Sequence, residues 1–359
     1  MRVCIIALST GNAMGQYLEG LLSELSTLCE IYLIAPKKNK LNIDNCTISY
    51  VDTGQSKKDV LINFVRPSSY KTIINAIEKI RPDLVHIFNA EGYPWNVSVS
   101  NFCNTNKIPL VVTVHDPVPH PHSIIESLNG SIRRKVIKKA DTVHIHNKLF
   151  IPILEKDLKI DSQKMYVIPH GSIADRYLKF KKDLPKENFV LFFGRVEEYK
   201  GLEYLVEAMK LVDISLNLVI AGAGKLPTNI TSIKDRVRIK NYYISEEEAC
   251  TLFEEARMLV LPYIQASQSS LPQIAKEFNL PVVATSVGAL GIEVLSNGGL
   301  VVPPKDPISL GEAITSIINN HLTDQIQQKD STSDSLKFSN IAPLFLDMYT
   351  KVVKNANIL

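Results

Sequence analysis

The stretch FVLFFGRVEEYKGLEYLVEAMKLVDISLNLVIAGAG, residues 189–224, decides the fold class. It opens on FVLFF, a continuous apolar run of strand length, and then breaks at Gly194. A polar turn follows, then GLEYLVEAMKLV with apolar residues at helical spacing, then a second apolar run, LNLVIA. Strand, glycine turn, helix and strand in that order make a βαβ unit. A strand that is apolar throughout is one covered on both faces, as in a parallel sheet.

Outward from this unit the same alternation fills the chain. Upstream strand candidates are VCIIALS, EIYLIA, TISYV, DLVHIF, LVVTVH, DTVHIH and MYVIP, interleaved with the helical patterns QYLEGLLSEL, YKTIINAIEKI and SIRRKVIKKA. Downstream, RVRIK, MLVLPY, PVVAT and LVVP alternate with SEEEACTLFEEA, SLPQIAKEF and PISLGEAITSII. The pattern pauses in the polar run GSIADRYLKFKKDLPKEN, residues 171–188. The chain therefore reads as α/β, with two Rossmann-like parallel-sheet domains over residues 1–172 and 189–335, and a linker over 173–188. The polar stretch 321–335 reads as a loose connection, and LKFSNIAPLFLDMYTKVV as a closing amphipathic helix. Open α/β sheets bind ligands beyond the carboxyl ends of their strands. Two such domains facing each other would place both binding edges across one cleft.

Composition narrows the class. With 45% hydrophobic and 21% charged residues the chain suits ordinary buried cores rather than disorder. No apolar run approaches the ~20 residues of a membrane span. The N-terminal MRVCIIALST reads as a first buried strand rather than a signal peptide, because glycine turn chemistry follows it. Cysteines at 4, 29, 46, 103 and 250 are odd in number and form no CxxC, which points to reduced thiols in a cytoplasmic protein. A net charge of +3 argues against nucleic acid as a partner. Residues 1–170 carry 20 Lys+Arg against 15 Asp+Glu, whereas the rest carry 20 against 22, so the first half suits an anionic surface or substrate.

Five loops after strands hold the candidate chemistry. In FFGRVEEYKG, Gly194 frees a turn and places Arg195 and Lys200 before a helix start, a good pyrophosphate site and equally a solvated basic loop. In QASQSSLPQIAKEF, Ser267, Ser269 and Ser270 precede a helix and suit either phosphate binding or plain capping. LVVTVHDPVPHPH ends a strand at His115-Asp116, where an imidazole directed into the cleft suits sugar hydroxyls, or simply closes the strand. His120 and His122 add no ligand cluster, so no metal is expected. STGNAMGQYLEG places Gly11, Asn12 and Gly15 at the first helix without a dinucleotide fingerprint, and suits an acceptor site. IAGAGKL contributes Gly222 and Lys225. Separately, SIRRKVIKKAD carries Arg133, Arg134, Lys135, Lys138 and Lys139, either a contact for an anionic membrane or an ordinary surface helix.

Taken together, VTVHD, ADTVHIH, VIPHG, FGRVEEYKG, AGAGKL, LPYIQASQS and PVVATSVGAL resemble, in this order, the GT-B glycosyltransferases of glycosyltransferase family 4. The resemblance spans nearly the whole chain and is strongest over 189–304. It implies that Arg195 and Lys200 hold the donor diphosphate and that His115 lies near the donor sugar. It further implies that Gly194, Gly222, Lys225, Gln265, Ser269, Ser270, Leu271 and Glu277 surround the donor. Gly11, Asn12, Gly15 and Asp116 would face the acceptor. Gly171 would begin the interdomain link, and the helix over 336–359 would pack back on the first domain. The implied reaction is metal-independent, retaining transfer from a nucleotide diphosphate sugar, uridine more than guanosine diphosphate, to a glycan or lipid-linked acceptor. No cofactor beyond that donor substrate is implied. Polysaccharide or lipopolysaccharide assembly, on the cytoplasmic side and with peripheral membrane contact, is the implied setting. The chain departs from the pattern where many relatives carry two glutamates, at Ala266 and Ile274; Gln265 and Ser270 are further departures. Those departures keep open a non-catalytic relative that binds a nucleotide sugar or a partner transferase; a GT-B nucleotide-sugar epimerase is a separate alternative. In the transferase reading, the carboxylate contact to the donor ribose or sugar is missing or is supplied elsewhere, for example by Glu277 or Glu293.

Overall fold

The structure is a computed structural model that describes residues 1–38, 40–53, 67–89, 93–117, 124–213, 215–267, 269–319 and 335–356. The chain divides into two units, Met1–Gly171 with Asp334–Leu359, and Ser172–Ser333.

Unit 1 holds, among the described residues, a seven-stranded parallel sheet: β1 (Arg2–Ala7), β2 (Glu30–Pro36), β3 (Cys46–Val51), β4 (Leu84–Asn89), β5 (Leu110–Val114), β6 (Thr142–Ile145) and β7 (Met165–Val167). The order is β3-β2-β1-β4-β5-β6-β7. The helices are α1 (Asn12–Leu25), α2 (Pro67–Ile80), α3 (Trp95–Thr105), α4 (Ile124–Lys138) and α5 (Ile151–Leu158). β4 and β5 are buried at every position, which their unbroken apolar runs require of strands covered on both faces. Helix α3 escapes the sequence pattern because WNVSVSNFCNT is rich in polar and β-branched residues of modest helix propensity. Its packing decides: Trp95, Val99 and Cys103, four residues apart, are all buried on one face.

Unit 2 holds α6 (Asp175–Leu178), β8 (Phe189–Phe193), α7 (Leu202–Met209), β9 (Asn217–Ala221), β10 (Val237–Lys240), α8 (Glu246–Glu255), β11 (Met258–Leu261), α9 (Leu271–Glu277), β12 (Val282–Thr285), α10 (Leu290–Ser296), β13 (Leu300–Val302) and α11 (Pro307–Asn319). Its described strands form one parallel sheet in the order β10-β9-β8-β11-β12-β13. Leu205, Val206 and Met209 of α7 pack with Leu310, Ile314 and Ile317 of α11 over Val190, Leu218 and Val260 of the sheet.

The polar run read as a linker is docked rather than loose. Buried Glu254 of α8 accepts the backbone N–H groups of Lys182 at 2.9 Å and Asp183 at 2.6 Å. Arg176 and Lys179 pair with Glu246 at 2.7 and 2.9 Å. A carboxylate that takes backbone N–H donors replaces the periodic apolar contacts that the run lacks. The stretch 321–335 lies outside the described residues apart from Ser335. The final helix, α12 (Phe338–Ala356), belongs to unit 1 and packs on α1. Its Phe338 ring fills the space that side chains at Gly20 and Gly171 would take, since a Cβ at either position would fall 2.3 Å from the ring.

Candidate functional site

In unit 2 the strand order reverses between β8 and β11, and open α/β sheets take ligands at such a reversal, beyond the strand ends. The loops leaving β9, β8, β11 and β12 meet there and are bonded to one another. Gly194 and Val196 donate to Ala221 and Ala223 oxygens, both at 2.9 Å. Ile264 donates to the Tyr199 oxygen at 2.7 Å and Ala289 to the Ser267 oxygen at 2.9 Å. The Thr285 hydroxyl donates to the Tyr263 oxygen at 2.5 Å. Two glycines make the approach feasible. Gly201 has φ +65°, and a Cβ there would fall 2.0 Å from the Pro262 oxygen. Gly194 has φ +104°, and a Cβ there would fall 2.7 Å from Lys200 Nζ. Alanine would strain both positions, and at 194 it would also unseat the lysine.

Lys200 is 9% exposed, and no carboxylate among the described residues pairs with it. Its Nζ lies 5.2 Å from the centroid of the Tyr263 ring. Burial holds the ammonium below its ordinary pKa. Arg195, in contrast, is exposed and ion-paired to Glu197 at 2.5 Å. A pair so open to water is worth about 1 kcal/mol or less. The serine loop departs from plain capping. Ser270 occupies the N-cap of α9 without a side-chain cap bond, and the Ser269 hydroxyl accepts the Leu271 N–H instead, at 3.3 Å. Gln268 lies outside the described residues. Leu271 is buried, and Gln265 is half-buried at the same loop.

The carboxylates are placed unlike the sequence reading. Ile274 is buried in the core on the inner face of α9. Glu277 closes α9, roughly 10 Å along the helix from Ser270 at 1.5 Å per residue, so its place at the donor is corrected. Glu293 is different. It lies in the first turn of α10, and Ala289, just before that helix, is bonded to Ser267. Its Oε2 is shielded from water and has no hydrogen-bond partner among the described residues. Burial raises its carboxyl pKa to about 7. Gly222 closes the β9 turn against the Gly194 oxygen, and Lys225 is exposed beyond it. Tyr263 and Thr285 escaped sequence reasoning; their signal was position, at the ends of the strands on the far side of the reversal.

Two family descriptions match the chain, "Glycosyl transferases group 1" over residues 187–320 and "Glycosyltransferase Family 4" over 14–176. The chain is a GT-B glycosyltransferase of the group 1, family 4 type. It is 28% identical to the O-antigen chain mannosyltransferase RfbU of Salmonella typhimurium, over 67% of this chain and 70% of the other. Its fold matches sucrose-phosphate synthase of Thermosynechococcus elongatus with a TM-score of 0.78 at 17% identity, covering 99% of both chains. It likewise matches HepE of Anabaena in complex with UDP, with a TM-score of 0.69 at 13% identity, over 100% of both chains.

In unit 1 of the glycosyltransferase the reversal lies between β1 and β4. Asn89 bridges the two strand ends, accepting the Ser9 N–H at 3.0 Å and donating to the Ser9 oxygen at 2.8 Å. Gly11 is the N-cap of α1; the side chain of Asn12 lies outside the described atoms. A Cβ at Gly15 would fall 2.5 Å from the Thr10 oxygen, so packing alone requires that glycine. The expected direction of His115 is corrected: its ring is buried, with Nε2 on the Phe88 oxygen at 2.9 Å and Nδ1 on His146 Nε2 at 2.9 Å. Asp116 is half-buried, and its backbone oxygen accepts from Arg133. Lys139 bonds Asn101, which leaves Arg134, Lys135 and Lys138 as the exposed cations of α4. His120 and His122 lie outside the described residues. No group of three or more His, Cys, Asp or Glu among the described residues is placed to hold a metal ion, and no described helix is long and apolar enough to cross a membrane.

His115 belongs to a buried polar network whose proton directions follow from its carbonyl end. The Ile168 oxygen accepts only, so His144 donates to it from Nε2 at 3.3 Å. His144 Nδ1 then accepts the Thr113 hydroxyl at 2.8 Å, Thr113 accepts His86 Nε2–H at 2.7 Å, and His86 Nδ1 accepts the Tyr349 hydroxyl at 2.7 Å. Every ring in this chain is satisfied when neutral. Burial, foremost, holds His86 and His146 well below 6.5 and His144 down to about 3. An imidazole free in the unfolded chain titrates near 6.5, so its folded counterpart costs nothing above that pH. Below it the unfolded chain binds protons that the folded chain refuses. For His144, stability should therefore fall by up to about 1.4 kcal/mol per pH unit from 6.5 down toward 3, and His86 and His146 act in the same direction below 6.5. Calorimetric unfolding of unit 1 should show a flat midpoint above neutrality and a steep fall on acidification. A midpoint unchanged to about pH 5 would mean that the folded imidazoles accept protons.

Proposed function

We propose that this glycosyltransferase moves a sugar from a nucleoside diphosphate sugar to a glycan or lipid-linked acceptor with retention of configuration, and that uridine diphosphate is its preferred donor nucleotide. The observation that carries this reading is the buried, unpaired Lys200 ammonium at the strand reversal of unit 2. When the bond from the sugar C1 to the diphosphate oxygen breaks, negative charge collects on the leaving group. A cation already out of water is worth more to that charge than one in solvent. Arg195 surrenders its weak pair with Glu197 for a charge-assisted contact with the diphosphate. The acceptor oxygen bonds to C1 on the face the diphosphate leaves, and its proton passes to a diphosphate oxygen. This balance needs no protein nucleophile and no metal, which fits Ala266 and Ile274 at the two glutamate positions. The UDP complex of HepE supports the choice of nucleotide, and the O-antigen relative supports a glycan acceptor of lipopolysaccharide type. Arg195→Ala and Lys200→Ala should each lower kcat/KM by roughly 100- to 1000-fold, with unchanged unfolding midpoints. In the same assay EDTA should leave the rate unaltered. Near-normal rates in both variants would remove these residues from the phosphate role, and loss in EDTA reversed by a divalent ion would overturn metal independence.

Glu293 supplies the missing carboxylate in this reading. An ionised carboxylate accepts hydrogen bonds from ribose or sugar hydroxyls, so donor binding should draw a carboxyl titrating near 7 toward its charged form and release protons. Calorimetry of the nucleotide sugar near neutral pH, in buffers of different ionisation enthalpy, should detect that release. Glu293→Gln should abolish it; identical release in the variant would exclude Glu293 from the site.

The exposed Arg134, Lys135 and Lys138 of α4 support a peripheral contact with an anionic membrane. Replacing all three with glutamine should weaken cosedimentation with anionic vesicles by roughly 100-fold, at about 1 kcal/mol per cation. Equal cosedimentation would leave α4 a solvated face.

A further inference from the structure

Tyr263 packs against the basic motif that follows β8. It directly follows the Leu-Pro end of β11 and is 4% exposed. Its backbone is anchored by Thr285 of β12, whose hydroxyl donates to the Tyr263 oxygen at 2.5 Å. Its ring face lies under Lys200 Nζ, 5.2 Å from centroid to nitrogen. Its edge packs against Tyr199, the residue before that lysine, at 6.2 Å and 76°.

These contacts solve a problem that Lys200 poses. An ammonium taken out of water needs a substitute for its hydration, and a carboxylate would supply one. A carboxylate would also cancel the charge and compete with an incoming diphosphate. An aromatic face stabilises the cation through the ring quadrupole and leaves the full positive charge for an anion. The other titratable groups around Lys200 leave that task to the ring. Arg195 and Glu197 pair with each other, and burial, foremost, raises the phenol pKa of Tyr199, so it stays neutral.

We infer that Tyr263 is a positioning residue for donor binding: its ring face holds the Lys200 ammonium in place beside Gly194, as a cation left free to meet the donor diphosphate. The inference rests on the donor-site reading above. Tyr263→Phe keeps the ring face, whereas Tyr263→Leu loses it.

Calorimetric titration of uridine and guanosine diphosphates into the full chain, from about pH 7 to 10, tests it. The wild type should bind one of them and lose affinity on the alkaline side as Lys200 gives up its proton. Tyr263→Phe should keep that alkaline limit. Tyr263→Leu should bind roughly 5- to 30-fold more weakly at neutral pH and lose affinity at a lower pH than the wild type. Lys200→Ala should abolish the alkaline limit in either background. The fitted stoichiometry reports the folded fraction, and the position of the alkaline limit does not depend on it, so partial unfolding of Tyr263→Leu does not imitate the effect. A limit in Tyr263→Leu that coincides with the wild type overturns the positioning role while the donor site stands. No binding of either diphosphate to the wild type overturns the donor-site reading, and the inference falls with it.

Discussion

A lysine ammonium held out of water without a carboxylate is the interaction around which the donor end of this glycosyltransferase is organised. Left alone, such a group loses its proton or pulls an acid toward it. Here neither remedy is used. Lys200 stands against the Tyr263 ring and above an achiral residue, Gly194, whose missing side chain makes the space for Nζ. The loops are arranged to keep that geometry. Tyr199 and Ile264 are joined by a backbone bond, Tyr263 is bonded to Thr285, and Ser267 receives Ala289. Three strand ends are thereby fixed relative to one another before any ligand arrives, which is the condition for electrostatic stabilisation of a leaving group without reorganisation.

The two units answer burial of polar groups in different ways. Unit 1 encloses His86, Thr113, His144 and Tyr349 in a chain of hydrogen bonds that ends on the Ile168 carbonyl. A carbonyl has no proton to give, so the end of the chain fixes the direction of every bond in it. The adjoining pair is less comfortable. Phe88 and Ile168 oxygens bracket His115 and His146, and three contacts share the two ring protons of the neutral pair. A third proton would satisfy all three, but burial opposes the charge. Unit 2 satisfies Glu254 and Thr285, but at its strand ends it leaves Lys200 without an acid and Glu293 with an unbonded oxygen among the described residues. Satisfied networks stabilise a fold, and unsatisfied groups in a loop cluster are where a ligand gains most.

Much of this was legible in the sequence. Unbroken apolar runs such as DLVHIF and FVLFF predicted parallel strands, and each became one, because strands covered on both faces have no alternation to disguise them. FGRVEEYKG placed a glycine, an arginine and a lysine after a strand, and those residues do stand at the reversal. Other readings did not survive. His115 ends its strand as expected, yet its side chain turns inward to His146, since strand position fixes a residue's place but not its rotamer. Glu277 has the right chemistry at the wrong end of a seven-residue helix. The polar run over 173–188 lacks periodicity but is docked by Glu254, a contact about 70 residues away that no local pattern announces.

The sequence by itself determined the alternation of strands and helices, the two-unit α/β architecture and the loops that carry charge. Those properties are set by local periodicity and by the turn chemistry of glycine, which neighbouring residues suffice to express. Only the tertiary structure decided which charges are buried, which acid is left unpaired, and which aromatic ring the lysine meets. Lys200, Tyr263, Thr285 and Glu293 are distant in sequence, and their energies depend on burial and separation. Those quantities exist only once the strands have taken the order β8-β11-β12 in the sheet.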